Sequence, residues 1–193
     1  GVAAWARGGN KLHLGFDPGS ERRVWFAVSS ERINDITMAK AAMPVEPGAS
    51  YVFDKGYYDF AFWARLDAAG CRFVTPLRKD SPTRPVSQSP VVEAGLLFDC
   101  TVRLSERLKG HRHHPYAKPV RLVGVRLDNR RELTLVTNDL VSPAAKIAAL
   151  YKARWQVELF FKWLKQNLKL TRFLGTSRNA VIIQIMAALI AYL

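Results

Sequence analysis

From Ala145 to Leu170 the chain reads AKIAALYKARWQVELFFKWLKQNLKL, with neither Gly nor Pro, and Ser142-Pro143 stands just ahead as a cap and first turn. One long helix is predicted over this stretch. At about 100° per residue, Leu150, Ala153, Val157, Phe160, Phe161, Leu164 and Leu168 form an apolar stripe. Tyr151, Arg154, Glu158, Lys162 and Lys165 share an arc of roughly 80° beside it. Charge on the stretch is one-sided: Lys146, Lys152, Arg154, Lys162, Lys165 and Lys169 face a single acid, Glu158. Two readings stay open. Arg154 and Lys162 each lie four residues from Glu158, so both could be simple helical ion pairs. Alternatively, Glu158 is a metal-ligating carboxylate ringed by phosphate-binding cations.

Charge decides which partners to consider. The 193 residues carry 29 Lys and Arg against 16 Asp and Glu, a net charge of +13. Such a balance points to a polyanion, nucleic acid first and an anionic membrane surface second. The basic residues are spread along the whole chain rather than gathered on one amphipathic face, which disfavours the membrane. The longest apolar run, Val181 to Leu193, includes Gln184 and is short for a membrane span. It reads as a buried helix starting near Ser177. Two cysteines, Cys71 and Cys100, are too few for a disulfide scaffold and fit a reducing cytoplasm. Apolar residues make up 49%, enough for a real core.

Residues 1–10 are rich in Gly and Ala and read as loop. Lys11–Phe16 alternates, Asp17-Pro18-Gly19-Ser20 is a turn, and Val24–Val28 returns, so a hairpin is predicted. Asn34 or Asp35 caps a helix running to about Met43. Ser50–Phe53 reads as a buried strand ending at Asp54, with Gly56 permitting a sharp turn. A helix over Tyr58–Ala69 and a strand over Arg72–Thr75 come next. This order of hairpin, helix, strand, helix and strand predicts an α/β protein with a mixed sheet and flanking helices. In such sheets functional groups collect at the carboxyl ends of strands, where Asp54 stands. An Asp before Gly is also a common turn former.

Residues 81–90 (SPTRPVSQSP) read as a break. Leu96–Leu104, Val120–Leu127 and Glu132–Thr137 read as strands, the last two joined by a turn at Asp128-Asn129. Arg103, Arg107, Lys109, Arg112, Lys118, Arg121, Arg126, Arg130 and Arg131 make this region basic, as a DNA-facing surface or a solvated face. His111, His113 and His114 lack the Cys or carboxylate partners of a zinc set and read as a polar loop tip. His13 reads as a strand residue without a special role.

Tyr151, Arg154, Glu158 and Lys165, at their fixed spacing, resemble the Tyr-Arg-Glu-Lys signature of bacterial insertion-sequence transposases of the DDE type. LYKARWQVELFFKWLKQNL, LTLVTNDL, Asp35-Ile36-Thr37 and Asp54-Lys55-Gly56-Tyr57 resemble that family too. The resemblance implies a ribonuclease-H-like core over residues 1–79 and 142–193, with 80–141 as a β-rich insertion before the Glu-bearing helix. It implies that Asp54 and Glu158 are catalytic and hold Mg²⁺ or Mn²⁺, while Tyr151, Arg154, Lys162 and Lys165 bind DNA. Double-stranded DNA, both transposon ends and target, would be the partner. A homodimer on DNA and a place at the bacterial nucleoid are implied as well. The family's third carboxylate is an Asp on a strand before the first hairpin. Residues 1–10 contain neither Asp nor Glu, and Asp17 lies between two strands, in the wrong topological place. This chain alone is therefore expected to be a catalytic-core fragment or decayed copy that does not transpose. A noncatalytic DNA-binding module and a ribonuclease-H-like nuclease are the competing readings.

Overall fold

In the computed structural model the described residues are 2–7, 10–16, 24–79, 81–105, 115–127, 131–167, 179–180, 183–184 and 186–187. They form two compact units, one of residues 1–43 with 154–193 and the other of residues 44–153.

The first unit holds an antiparallel sheet of β1 (Val2–Arg7), β2 (Asn10–Phe16) and β3 (Val24–Ser30), in that order. The predicted hairpin is β2 and β3. The expected loop over residues 1–10 is instead strand β1, paired to β2 from Val2↔Gly15 to Arg7↔Asn10. Its alanines blur the alternation that marks a strand, but Gly8-Gly9 between paired Arg7 and Asn10 is a hairpin signal. α1 (Asp35–Ala42) forms where expected. Leu12, Leu14 and the imidazole of His13 are buried. His13 Nε2 lies 2.8 Å from Ser29 Oγ.

The second unit is built on a six-stranded sheet. Its strands are β4 (Ser50–Val52), β5 (Arg72–Pro76), β6 (Thr83–Ser89), β7 (Leu96–Leu104), β8 (Val120–Arg126) and β9 (Glu132–Thr137). The spatial order is β4-β5-β9-β8-β7-β6. β4 and β5 are parallel, joined by the crossover helix α2 (Phe60–Ala68), and every other pair is antiparallel. The mixed α/β class is thus as the sequence predicts. Asp59, not Tyr58, marks the start of α2, because its carboxylate accepts the Phe62 N–H at 2.8 Å. Residues 81–90 are not a plain break, since β6 occupies most of them. Pro85 cannot donate to a ladder and is tolerated because β6 is an edge strand whose register shifts between Pro85 and Ser87.

Alternation along β4 and β5 gives the sheet two buried faces. Phe53 and Phe73 face α2, where Phe73 stacks on Trp63 at 4.8 Å and Phe53 meets Phe62 edge-on at 5.7 Å. Val52 and Val74 join Val123, Val125 and Leu135 beneath Ala144 and Ile147 of α3 (Ala144–Ala153).

The single long helix is not found. α3 ends at Ala153, Arg154 forms a turn, and α4 (Trp155–Asn167) begins anew. Helix propensity supplies no reason to stop there. Tertiary packing does: α3 is buried on the six-stranded sheet, whereas α4 packs in the first unit, against β1 and β2. Val157 and Phe161 of the expected stripe are buried. Within the carboxyl-terminal apolar run the described residues are helical, with Ile183 and Met186 exposed at 66% and 47%, and the rest of the predicted buried helix lies outside the described residues. Asp17, the Asp128-Asn129 turn, the histidines at 111, 113 and 114, and Leu168 lie outside the described residues.

Candidate catalytic site

Asp54 stands just beyond the carboxyl end of β4. Its backbone remains extended (φ −85°, ψ −177°) before Lys55–Tyr57 coil into one 3-10 turn. Asp54 Oδ1 accepts the Gly56 N–H at 2.7 Å, which caps that turn. Thr75 Oγ1 donates to the Asp54 carbonyl at 3.2 Å, and the Phe53 N–H donates to the Val74 carbonyl at 2.9 Å. The carboxylate is therefore both a turn former and a half-buried oxygen donor set rigidly at a strand end. Gly56 contributes an amide to it.

Glu158 projects from the first turn of α4. Its Oε1 lies 2.7 Å from Nη2 of Arg154. The Arg154 side chain is only 10% exposed and that of Glu158 is 37% exposed. The i,i+4 ion pair of the plainer reading is thus present for Arg154. It also holds the Glu158 carboxylate in one orientation. Lys162, one further turn along, is exposed. Lys165 lies on α4, its side chain outside the described residues. Tyr151 is half-buried in the last turn of α3 and packs against the cluster of Val52, Val74 and Ile147. The start of α4 thus gathers Arg154, Glu158 and Lys162, while Asp54 and Tyr151 belong to the other unit.

Asp54 and Glu158 supply hard carboxylate oxygens, the donor type that Mg²⁺ and Mn²⁺ prefer. Among the described residues no group of three or more His, Cys, Asp or Glu is gathered closely enough to hold a metal ion.

Several of the basic residues read as a DNA-facing surface or a solvated face are held by neighbouring carboxylates. Arg121 is buried, donating from Nε to Asp99 Oδ1 at 2.7 Å and from Nη2 to Asp99 Oδ2 at 2.6 Å. Lys118 pairs with Asp67, and Arg126 Nη2 lies 2.9 Å from Glu132. Arg103, exposed, donates to the Ala117 carbonyl at 3.1 Å. Arg121 lies in the core because Val120–Val125 is buried on both faces, so its guanidinium needs an internal carboxylate.

The polar corner between β9 and α3 was legible only as part of LTLVTNDL. Asn138 Oδ1 accepts the Phe73 N–H, and its Nδ2 donates to Asp67 Oδ1 and to the Cys71 carbonyl, all at 2.9 Å. Asp139 Oδ1 accepts the N–H groups of Val141 (3.1 Å) and Ser142 (2.9 Å), while Arg72 Nε lies 3.4 Å from Oδ2. Arg121 also donates to the Ser142 carbonyl. These bonds fix where α3, and with it Tyr151, leaves the sheet.

Comparison with known proteins identifies the family. Residues 3–193 match the family model described as Transposase DDE domain. A protein of Sinorhizobium fredii named as a transposase, y4zB, is 37% identical over 201 residues, covering 99% of this chain and 55% of its own length. A transposase named for insertion sequence element IS5377 of Geobacillus stearothermophilus is 37% identical over 115 residues, 60% of this chain and 28% of that protein. One named for element IS4SA of a Synechocystis strain is 54% identical over 48 residues, 25% of this chain and 14% of that protein. The chain thus spans about half the length, or less, of the curated relatives it matches. With a family match running almost from end to end, the chain belongs to the transposase DDE domain family.

Proposed function

We propose that this chain is catalytic-domain sequence of a DNA transposase that cuts and rejoins strands by metal-assisted phosphoryl transfer on a ribonuclease-H-like core, with residues 80–141 as its inserted segment. The observation that carries the reading is the setting of Asp54: a carboxylate fixed beyond a parallel strand's carboxyl end, inside a chain of this family. Asp54 and Glu158 are the residues to hold Mg²⁺ or Mn²⁺. Such ions, when bound, activate the attacking oxygen and stabilise the leaving one in phosphodiester transfer. Arg154 orients Glu158 through their ion pair. Tyr151, Arg154, Lys162 and Lys165 are assigned to the DNA near the reacting bond, Lys162 and Lys165 as point charges on phosphate. Transposon ends and target are the DNA partners, the complete protein acts as a homodimer on DNA, and it works at the nucleoid. No helix among the described residues is long and apolar enough to cross a membrane.

β1 carries no carboxylate, and Asp54 and Glu158 are two ligands where the family uses three. Strand cleavage by this chain alone is therefore expected to be feeble. Single-turnover nicking of duplex DNA in Mg²⁺ or Mn²⁺, together with Mn²⁺ binding followed by electron paramagnetic resonance, tests the reading. Little nicking is expected, with Mn²⁺ bound weakly and at least about tenfold more weakly by Asp54→Asn or Glu158→Gln. Robust nicking abolished by Glu158→Gln would confirm the carboxylate and overturn the inactivity. Mn²⁺ binding indifferent to both substitutions would overturn the assignment.

A further inference from the structure

The parallel pairing of β4 and β5, from Ser50↔Arg72 to Val52↔Val74, brings their carboxyl ends out side by side. The segment just past β5 then emerges beside the Asp54 turn, in keeping with the Thr75 bond to the Asp54 carbonyl and the contacts of Arg78 and Ser81 with Tyr58. Three exposed cations stand there: Lys55, directly after Asp54, and Arg78 and Lys79, just past β5. Elsewhere in this unit Arg72, Lys118, Arg121 and Arg126 are each matched by a carboxylate. Among the described residues Lys55, Arg78 and Lys79 have no such partner, as is also true of Arg84 and Arg103 elsewhere on the sheet.

Arg78 is also held in place. Its guanidinium carbon lies 4.7 Å from the centroid of the Tyr58 ring, and the Tyr58 hydroxyl is 2.7 Å from Ser81 Oγ. A cation–π contact anchors the guanidinium while leaving N–H donors available to a further partner. A preoriented fork of this kind suits phosphate oxygens. Three cations spread along exposed turns suit an extended polyanion better than a free phosphate.

We infer that Lys55, Arg78 and Lys79 grip successive phosphates of a DNA strand laid across the carboxyl ends of β4 and β5, with the Tyr58-backed Arg78 as the rigid contact. This rests on the transposase reading of Asp54 and adds DNA contacts by residues other than those of α4.

The test is binding of a fluorescent DNA duplex by this chain across a series of salt concentrations. Arg78→Ala, Lys79→Ala and their double variant are compared with Arg65→Ala, which removes a charge from the last turn of α2, at the opposite end of the crossover. Arg78→Ala and Lys79→Ala are each expected to flatten the slope of log affinity against log salt by about 0.9, and the double by about 1.8, with Arg65→Ala near wild type. An unchanged slope in the double variant, with the unmodified chain binding normally, would overturn these contacts and leave the transposase reading standing. An equal loss in Arg65→Ala would overturn them too, since the effect would then be net charge alone. No salt-dependent binding by the unmodified chain would overturn the DNA reading itself, and these contacts with it.

Discussion

Arg121 and Arg154 show how little residue type says about a cation's duty. Both sit in basic stretches, and both are buried against a carboxylate, Asp99 in one case and Glu158 in the other. For Arg121 the match is bidentate, and the same guanidinium also reaches the Ser142 carbonyl before α3. Removing one member of a buried pair strands the other charge, at a cost of about 3–5 kcal/mol, whereas removing both is far milder. Asp99→Leu and Arg121→Met are thus each expected to lower stability to urea by about that much. The double variant should lose less than either single variant, far short of the sum of the two losses. Additive losses would mean that the two side chains do not depend on each other.

At the scale of elements, packing overrides local signals. β1 exists because β2 offers it a ladder, not because its alanines favour strand. β6 tolerates Pro85 because its outer edge is unpaired in the sheet. The Arg154 break separates two stretches that pack on different sheets. Between β7 and β8, Gly124 lies opposite Phe98, and the Phe98 ring occupies the space a Cβ would need. Only a residue without a side chain allows that ring to lie flat across β8. Gly124→Ala is expected to destabilise the sheet by about 1–3 kcal/mol through overpacking. Adding Phe98→Leu should restore part of the loss, and thermal denaturation of the single and double variants reads this directly. No recovery would place the cost in the backbone.

Over the whole molecule, acid should act in two steps. Burial lowers the His13 pKa, and Asp35 opposes this without reversing it. The folded state thus resists a proton that the unfolded chain accepts near pH 6.5. Stability from this group is complete above that pH and falls as pH drops toward the depressed folded value. Asp67 and Asp139 act lower down. Burial alone would raise each, but hydrogen bonds from Lys118 and Asn138 to Asp67, and from Ser142 and Val141 to Asp139, more than offset it, so both titrate below the usual range. Their contribution is present above about pH 4 and lost below it as they protonate. Melting temperature should therefore fall first below about pH 6.5 and again below about pH 4. His13→Asn should remove only the first decline. A first decline that persists in His13→Asn would assign it to other groups.

The features that the sequence determined unaided were mostly local. Turn residues bounded the β2–β3 hairpin and α1, alternation marked β7, β8 and β9, and the Asp54 and Glu158 motifs pointed to the family by themselves. These are readings in which a residue's neighbours along the chain supply most of the physics. Tertiary structure alone decided that the Ala145–Leu170 stretch breaks at Arg154 and that residues 81–90 hold a strand. It also decided which cations face solvent. Arg121 and Arg78 look alike in the sequence, yet one is neutralised by Asp99 across a buried strand pair and the other lies exposed over Tyr58 beside the Asp54 turn. The difference is set by partners 22 and 20 residues away (121 − 99 and 78 − 58). Pairings at that distance are fixed by the sheet, and no local pattern encodes them.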